Sequence, residues 1–419
     1  MRCFCPGPLA GLLLASLFLV APAASAAGIA GRPTLVEAVD AAWRIAVEAR
    51  HADSESRRAE AGMRVARSFA ADSPALAWSR EEGDWYGGAR AGSATETEIG
   101  LSWPLWMPGQ RRAAVDASRA DAAWASANLA QAQLEVAARV RETAWDIAAR
   151  QAELVAAQSA VDALVELAGV VERRVAFGDL ATSDLLASRA GVLDAEMARD
   201  DALRRLEAAR ARWTVLTGYE ETVEAGEMEA EARIDSRSLL SRAGTPPSLV
   251  AAEASVRRAE GERAAVRRSL GAPPELTLGA KEESDGPAAT GDRSLVLALR
   301  IPLGLGARRE LAQATAQSAL DVAQAELSLA RSKHAADLAA ARSDFEITGR
   351  QLEGARQRAE LLSRRQRMME RAFAAGEIPL AELLLAHRDS RAASADLARR
   401  KAERGLAHTS LLHAIGAFP

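Results

Sequence analysis

Aromatic residues make up only 4% of the 419 residues, and lysine occurs at Lys281, Lys333 and Lys401 alone. The first shortage argues against ordinary globular cores, in which Phe, Tyr and Trp supply much of the buried area. Cysteine is confined to Cys3 and Cys5, ahead of an apolar run from Leu9 to Val20. Arg2, that run and Ala24-Ser25-Ala26 have the charge, apolar and small-residue zones of a secretory signal peptide, predicted to occupy residues 1–26. Its cleavage removes both thiols. Disulfides, thiolate metal sites, Cys nucleophiles and a lipidated Cys are then all excluded from the remainder. Beyond the signal there is no run of about 18 consecutive apolar residues, so any membrane span is expected to be built from strands. The balance of 53 basic against 57 acidic residues speaks against nucleic acid as a partner, which calls for a concentrated basic face.

What the chain has in abundance is alanine, which dominates its 49% of hydrophobic residues and stands beside Leu, Arg, Glu and Gln. That is the composition of long helices whose backbones approach closely. The chain is also written twice. Arg57-Arg58-Ala59-Glu60 reappears as Arg257-Arg258-Ala259-Glu260, and Pro74-Ala75-Leu76 as Pro274-Glu275-Leu276. Trp103-Pro104-Leu105 returns as Ile301-Pro302-Leu303, and Arg111-Arg112 as Arg308-Arg309. Gly178-Asp179-Leu180 with Asp184-Leu185-Leu186 returns as Gly376-Glu377-Ile378 with Glu382-Leu383-Leu384. Matches in one order, prolines and glycines included, mean duplication.

Each copy reads as helix, two strands, long helix, turn and shorter helix. In the first, residues 27–217, a helix from Leu35 to Phe69 precedes a β-hairpin at 75–103, a long helix at 108–175 and a helix at 182–217. A Gly-, Pro- and acid-bearing linker follows at 218–247. The second copy, 248–419, has a helix, a hairpin at 275–301, a long helix at 305–374 and a helix at 380–416. Val140, Ile147, Leu154, Val161, Ala168 and Val175 lie seven apart, a supercoiling seam. A helix of this length extends about 100 Å, and two shorter helices stacked end to end would match it, making a two-stranded rod.

The strands alternate. Thr95, Thr97, Ile99, Leu101 and Trp103 oppose Glu96, Glu98, Gly100 and Ser102, and Leu295, Leu297, Leu299 and Ile301 oppose Ser294, Val296, Ala298 and Arg300. Strands of 8 to 10 residues suffice to cross an outer membrane when tilted. Trp78, Trp85, Trp103 and Trp106 cluster at the first hairpin, as in an interfacial belt. Taken alone, such hairpins also suit a small soluble sheet. Four strands cannot close a barrel, and open sheet edges are not viable in hydrocarbon, so a membrane reading requires oligomerisation. Three copies would supply twelve strands.

Arg174-Val175-Ala176-Phe177-Gly178 with Asp184-Leu185-Leu186-Ala187, and Phe373-Ala374-Ala375-Gly376 with Glu382-Leu383-Leu384, are similar to the helical-tip pattern of the TolC-type outer-membrane efflux proteins. The signal and the duplicated units extend the resemblance over nearly all of the chain, and the short form without a C-terminal extension looks most like the heavy-metal (cobalt-zinc-cadmium) branch. The resemblance implies a mainly α fold with β strands: duplicated coiled-coil hairpins forming a periplasmic α-barrel, and four strands per chain in a trimeric 12-stranded transmembrane β-barrel. It further implies a homotrimer in outer-membrane lipid, meeting a periplasmic membrane-fusion adaptor and an inner-membrane pump of the resistance-nodulation-division type. The tip residues Arg174, Phe177, Gly178, Leu180, Asp184, Phe373, Gly376, Ile378 and Glu382 would then dock the adaptor. At Gly178 and Gly376, chain reversal and docking are the same geometry. The chain departs from the pattern at Val175, where an aromatic is usual, and at Ala372, where Arg would stand.

Candidate pore and entrance residues are Glu96, Glu98, Lys281 and Arg300 on the strands and Arg364, Arg365 and Arg367 before the second tip. The Arg run reads first as a solvated helix face and second as an entrance ring. His51, His334, His387, His408 and His413 are scattered and poorly spaced for one metal ion. With no phosphate loop, zinc-protease motif or nucleophile elbow, no enzyme, metal or cofactor is expected. The expected function is a passive exit duct for substrates delivered by a pump and adaptor, heavy-metal cations among them. A periplasmic coiled-coil adaptor and the duct of a type I secretion system are the alternatives.

Overall fold

Thr34 opens the first helix with a reciprocal cap. Its hydroxyl accepts the Glu37 N–H at 3.3 Å, and the Glu37 carboxylate accepts the Thr34 N–H at 2.9 Å. In the computed structural model the described residues are 31–85, 92–224, 244–269, 272–284, 291–303 and 306–417. The expected signal at 1–26, the two loop tips between paired strands and residues 225–243 of the expected linker lie outside them.

The elements run α1 (Leu35–Ile45), α2 (Val47–Arg67), β1 (Ala75–Trp85), β2 (Gly92–Pro104), α3 (Gln110–Ala176) and α4 (Thr182–Thr217). After the linker come α5 (Pro247–Arg268), β3 (Glu275–Ser284), β4 (Asp292–Arg300), α6 (Gly306–Ala374) and α7 (Leu380–Ile415). The single helix expected from Leu35 to Phe69 is two: Ala46 breaks it with ψ at 137°. The cause is tertiary. α1 turns so that Leu35, Ala38 and Ala42 enter a core with Val136, Val140, Leu206 and Trp213, whereas α2 packs chiefly on α3.

Cross-helix contacts serve as a ruler for the rods. Arg111 of α3 donates to the Arg67 carbonyl at 2.5 Å, Asp121 pairs with Arg58 at 3.0 Å and Arg139 with Glu48 at 2.6 Å. Further down α3, Asp146 pairs with Arg212 at 2.7 Å and Glu172 with Arg189 at 2.8 Å. So α2 and α4 follow one another along α3. In the second half Arg331 pairs with Glu253 of α5 at 3.1 Å, and Arg365 pairs with Asp389 of α7 at 2.9 Å. Exposed pairs of this kind contribute at most about 1 kcal/mol each. The energy lies in the seams they border, where Val140, Ile147, Val161, Leu164 and Val171 are buried.

α3 is the spine, packing on α1, α2, α4, α5 and α7, while α6 packs mainly on α5 and α7. Asp121 ties the two halves together, because the repeat-equivalent Arg58 and Arg258 both reach it, at 3.0 and 2.8 Å. Lower down, the Trp145 ring of α3 lies on Gly405 of α7, where a Cβ would fall inside the ring's van der Waals surface. α3 also contains an 18-residue window apolar enough to span a membrane by composition. Alanine accounts for it, and the window belongs to a 67-residue helix, about 100 Å long, that packs on five others. Replacing Gly405 by Ala should destabilise the protein by about 1–3 kcal/mol through overpacking, whereas Gly354→Ala, on α6 with no neighbour within 4 Å, should be neutral or slightly stabilising. Thermal unfolding of the two variants checks this.

Candidate functional site

The two hairpin tips are built alike. α3 and α6 each end on a glycine with positive φ, Gly178 at 84° and Gly376 at 80°. At the first, the N–H groups of Gly178 and Asp179 donate to the carbonyls of Val175 and Arg174 at 3.0 and 2.9 Å. At the second, Gly376 and Glu377 donate to Phe373 and Ala372 at 3.0 and 2.9 Å. This double bond satisfies carbonyls that a helix end leaves orphaned, and the left-handed residue it needs is easiest for glycine. α4 then starts with Asp184, whose carboxylate accepts the Ala181 N–H at 3.2 Å. Glu382, exposed in the first turn of α7, stands in the equivalent place. Both carboxylates face a helix N-terminus, where negative charge is favoured.

The tip residues named from sequence separate by burial. Phe373 is core, packed with Val171, Leu380 and Leu383 and flanked by half-buried Leu180 and Ile378. Phe177 is 82% exposed. Arg174 joins the tips. Its Nη1 and Nη2 donate to the carbonyls of Phe373 and Ala374 at 2.9 and 2.7 Å, and its guanidinium lies 4.8 Å from the centre of the Phe373 ring. A side chain of the first repeat thus caps the long helix of the second. Nothing in the linear pattern showed this, since the motif only placed Arg174 near a turn.

The entrance arginines do not converge. Arg365 is held by Asp389, Arg367 donates to Ser363 Oγ one turn back at 2.7 Å, and Arg364 is exposed. Nearby, His387 Nδ1 lies 3.2 Å from Gln366 Nε2, and its Nε2 lies 3.4 Å from Glu370 Oε1. Burial holds this imidazole below the ordinary His value, partly opposed by Glu370 and assisted by Arg391. Among the described residues, no group of three or more His, Cys, Asp or Glu is placed to hold a metal ion.

The strands form one antiparallel sheet in the order β1-β2-β3-β4, so β1 and β4 each keep an unpaired edge within the chain. Register sorts the side chains. Leu76, Leu101, Leu278 and Leu297 form one cross-strand row, and Trp78, Ile99, Ala280 and Leu295 the next. Leu76, Trp78, Leu295 and Leu297 are all more than 60% exposed, so none of the described residues covers this apolar face. Trp103 belongs to it as well. Trp106 does not, since its indole N–H donates to the Ser68 carbonyl at 3.1 Å and anchors the sheet to the end of α2.

The opposite face is small and polar. Ala77, Gly100, Gly279 and Val296 form one row, and Ser79, Glu98, Lys281 and Ser294 another. Next, on the side of the loop tips, Glu81, Glu96, Glu283 and Asp292 stand directly opposite one another across all four strands. Like charges so placed repel. Lys281 relieves the middle of the row, its Nζ 2.8 Å from Glu96 Oε1 and also paired with Glu283. Arg300, at the helical end, lies 3.8 Å from Glu275.

Losing the Arg174 clasp should free both tips. Arg174→Ala is expected to raise amide exchange in residues 174–184 and 372–382 roughly tenfold, as loss of about 1–2 kcal/mol of charged hydrogen bonding implies. Exchange along the middle of α3 should stay unchanged. Hydrogen-exchange mass spectrometry on the two proteins measures both.

Residues 75–219 match the family model described as outer membrane efflux protein. Comparison with curated protein sequences gives no match. Among solved structures, the chain is similar to CusC, with 16% identity over 92% of both chains and a TM-score of 0.75. It is similar to the outer membrane protein VceC of Vibrio cholerae, with 16% identity over 91% of this chain and 96% of that one, at 0.72. It is also similar to the open-state outer membrane channel MtrE of Neisseria gonorrhoeae, with 18% identity over 92% and 89%, at 0.68. At such identities the likeness speaks for the fold. Over nine-tenths of its length the chain therefore has the fold of outer-membrane channels with a large helical portion, and from β1 through α4 it carries the sequence match to the outer membrane efflux protein family.

Proposed function

We propose that three copies of this chain share one closed β-barrel in the outer membrane and continue into a periplasmic tube of helices, forming the passive exit duct of a tripartite efflux system. The observation that carries this reading is the sheet itself, an open four-stranded sheet with one exposed face that is apolar in the rows of Leu76 and Trp78 and turns polar, at Arg80, Thr97, Glu282 and Arg293, toward the loop tips. In hydrocarbon an unpaired edge leaves backbone groups unsatisfied, and closure with further copies removes every edge. The apolar face then meets lipid and the polar face, with Glu96, Glu98, Lys281 and Arg300, lines the lumen. The tips, with exposed Phe177 and the first-turn carboxylates of Asp184 and Glu382, are the docking surface for a periplasmic adaptor that couples the duct to an inner-membrane pump.

The cargo is read as heavy-metal cations. What supports this is the excess of carboxylates over Lys281 and Arg300 on the lumen face, Glu81, Glu96, Glu98, Glu275, Glu283 and Asp292, since rings of acidic side chains favour cations. In planar bilayers the purified protein should conduct with a preference for cations. Glu96→Gln with Glu283→Gln should weaken that preference, and Lys281→Gln should strengthen it, with reversal potentials in a salt gradient as the readout. A strain lacking the protein should become sensitive to zinc, cobalt or copper. Sensitivity to antibiotics alone would redirect the cargo and leave the duct in place, while a protein that conducts nothing would remove the duct.

A further inference from the structure

The two helical hairpins touch at the tips through Arg174 and again where α3 crosses α7. Between these points a groove of about 700 Å³ separates them, lined by α3, α4, α6 and α7. At the crossing, Trp145 lies on Gly405, and the adjoining turn of α7 carries His408 and Thr409 into the interior. His408 is 1% exposed, and neither its Nε2 nor Thr409 Oγ1 has a hydrogen-bond partner among the described residues. Two such atoms call for an explanation, because buried polar groups are nearly always satisfied.

The surroundings of the imidazole supply one. α3 presents Arg141, which is itself buried, and α7 presents Arg404. α6 presents the Phe345 ring, 5.9 Å from the imidazole between centroids and tilted by 44°. The Arg404 guanidinium lies over the other part of that ring, 3.1 Å from its centre, and bonds to the Phe345 carbonyl. Among the described residues, Arg141 and Arg404 both act on His408 as positive charges, and the neutral imidazole is the form that fits.

We propose that this crossing is an acid-sensitive latch: protonation of His408 adds a third cation to the seam between α3, α6 and α7 and loosens the grip of one hairpin on the other. The direction follows from linkage. Burial first, then Arg141 and Arg404, push the folded-state pKa down from 6.5 to about 4. The loosened state takes up its proton near the ordinary value, so it binds more protons between these limits, and the closed seam weakens as pH falls from about 6.5 toward 4. Above that window the latch contributes full strength.

The test uses the full chain in detergent with spin labels at Ser159→Cys on α3 and Ser394→Cys on α7, which line the groove from opposite hairpins. Below pH of about 6 the distance distribution should shift to longer values and broaden. The same pair in a His408→Gln background should not respond. No response in the parent, or the same response in both, overturns the latch. In case His408→Gln fails to fold, histidine-labelled parent protein keeps the question decidable. With His387, the other imidazole that burial holds low, replaced by Gln, one of the four remaining rings should take up its proton below the ordinary value and in step with the distance change, and titration of all four near the ordinary value, or out of step with the distance, overturns the proposal.

Discussion

An antiparallel sheet with one apolar face and two free edges has few stable environments, and the described residues of this chain offer it none. Leu76, Trp78, Leu295 and Leu297 point away from every helix, and β1 and β4 each turn a row of backbone groups outward. Water is costly for the first and hydrocarbon for the second. Closing the sheet with other copies while lipid wets its outside satisfies both. The helical rods inherit their arrangement from that solution, because each hairpin of strands is continuous with a long helix on the same side of the sheet.

Within the chain, α3 does most of the organising. It borders five other helices, whereas its repeat counterpart α6 borders chiefly two. The asymmetry shows how a duplicated sequence makes a non-duplicated structure. Arg58 and Arg258 occupy the same place in their repeats, yet both reach the single Asp121 of α3. Arg174 of the first tip caps α6 of the second. A side chain that is redundant in the repeat thus becomes the contact between the halves.

Much of this was legible in the linear order of residues. Periodicity of two over 95–103 separated the faces that register later paired, and glycines at 178 and 376 marked the reversals that their positive φ values require. What the pattern did not carry is tertiary. No Pro or Gly stands at Ala46, so the break between α1 and α2 has no local signal; it follows from the turn of α1 into a core with Trp213. Phe177 and Phe373 were both expected to dock the adaptor, but one is exposed and the other buried, because Phe177 precedes its glycine by one residue and Phe373 by three, so they lie on different sides of their helix ends. Trp106 read as one of an interfacial cluster, and its hydrogen bond to the end of α2 had no sequence signal. Long-range pairing of arginines with carbonyls leaves no periodic trace at all.

The account stands on the two faces of the sheet meeting different solvents, and that can be read residue by residue. Single spin labels placed along β2 from residue 95 to 103 in the membrane-reconstituted protein, tested against oxygen and a water-soluble nickel chelate, report which solvent each position meets. The account predicts a period of two, with positions 97, 99, 101 and 103 favouring oxygen and 96, 98, 100 and 102 favouring the chelate. Uniform access to the chelate along the strand, or no alternation, would contradict it.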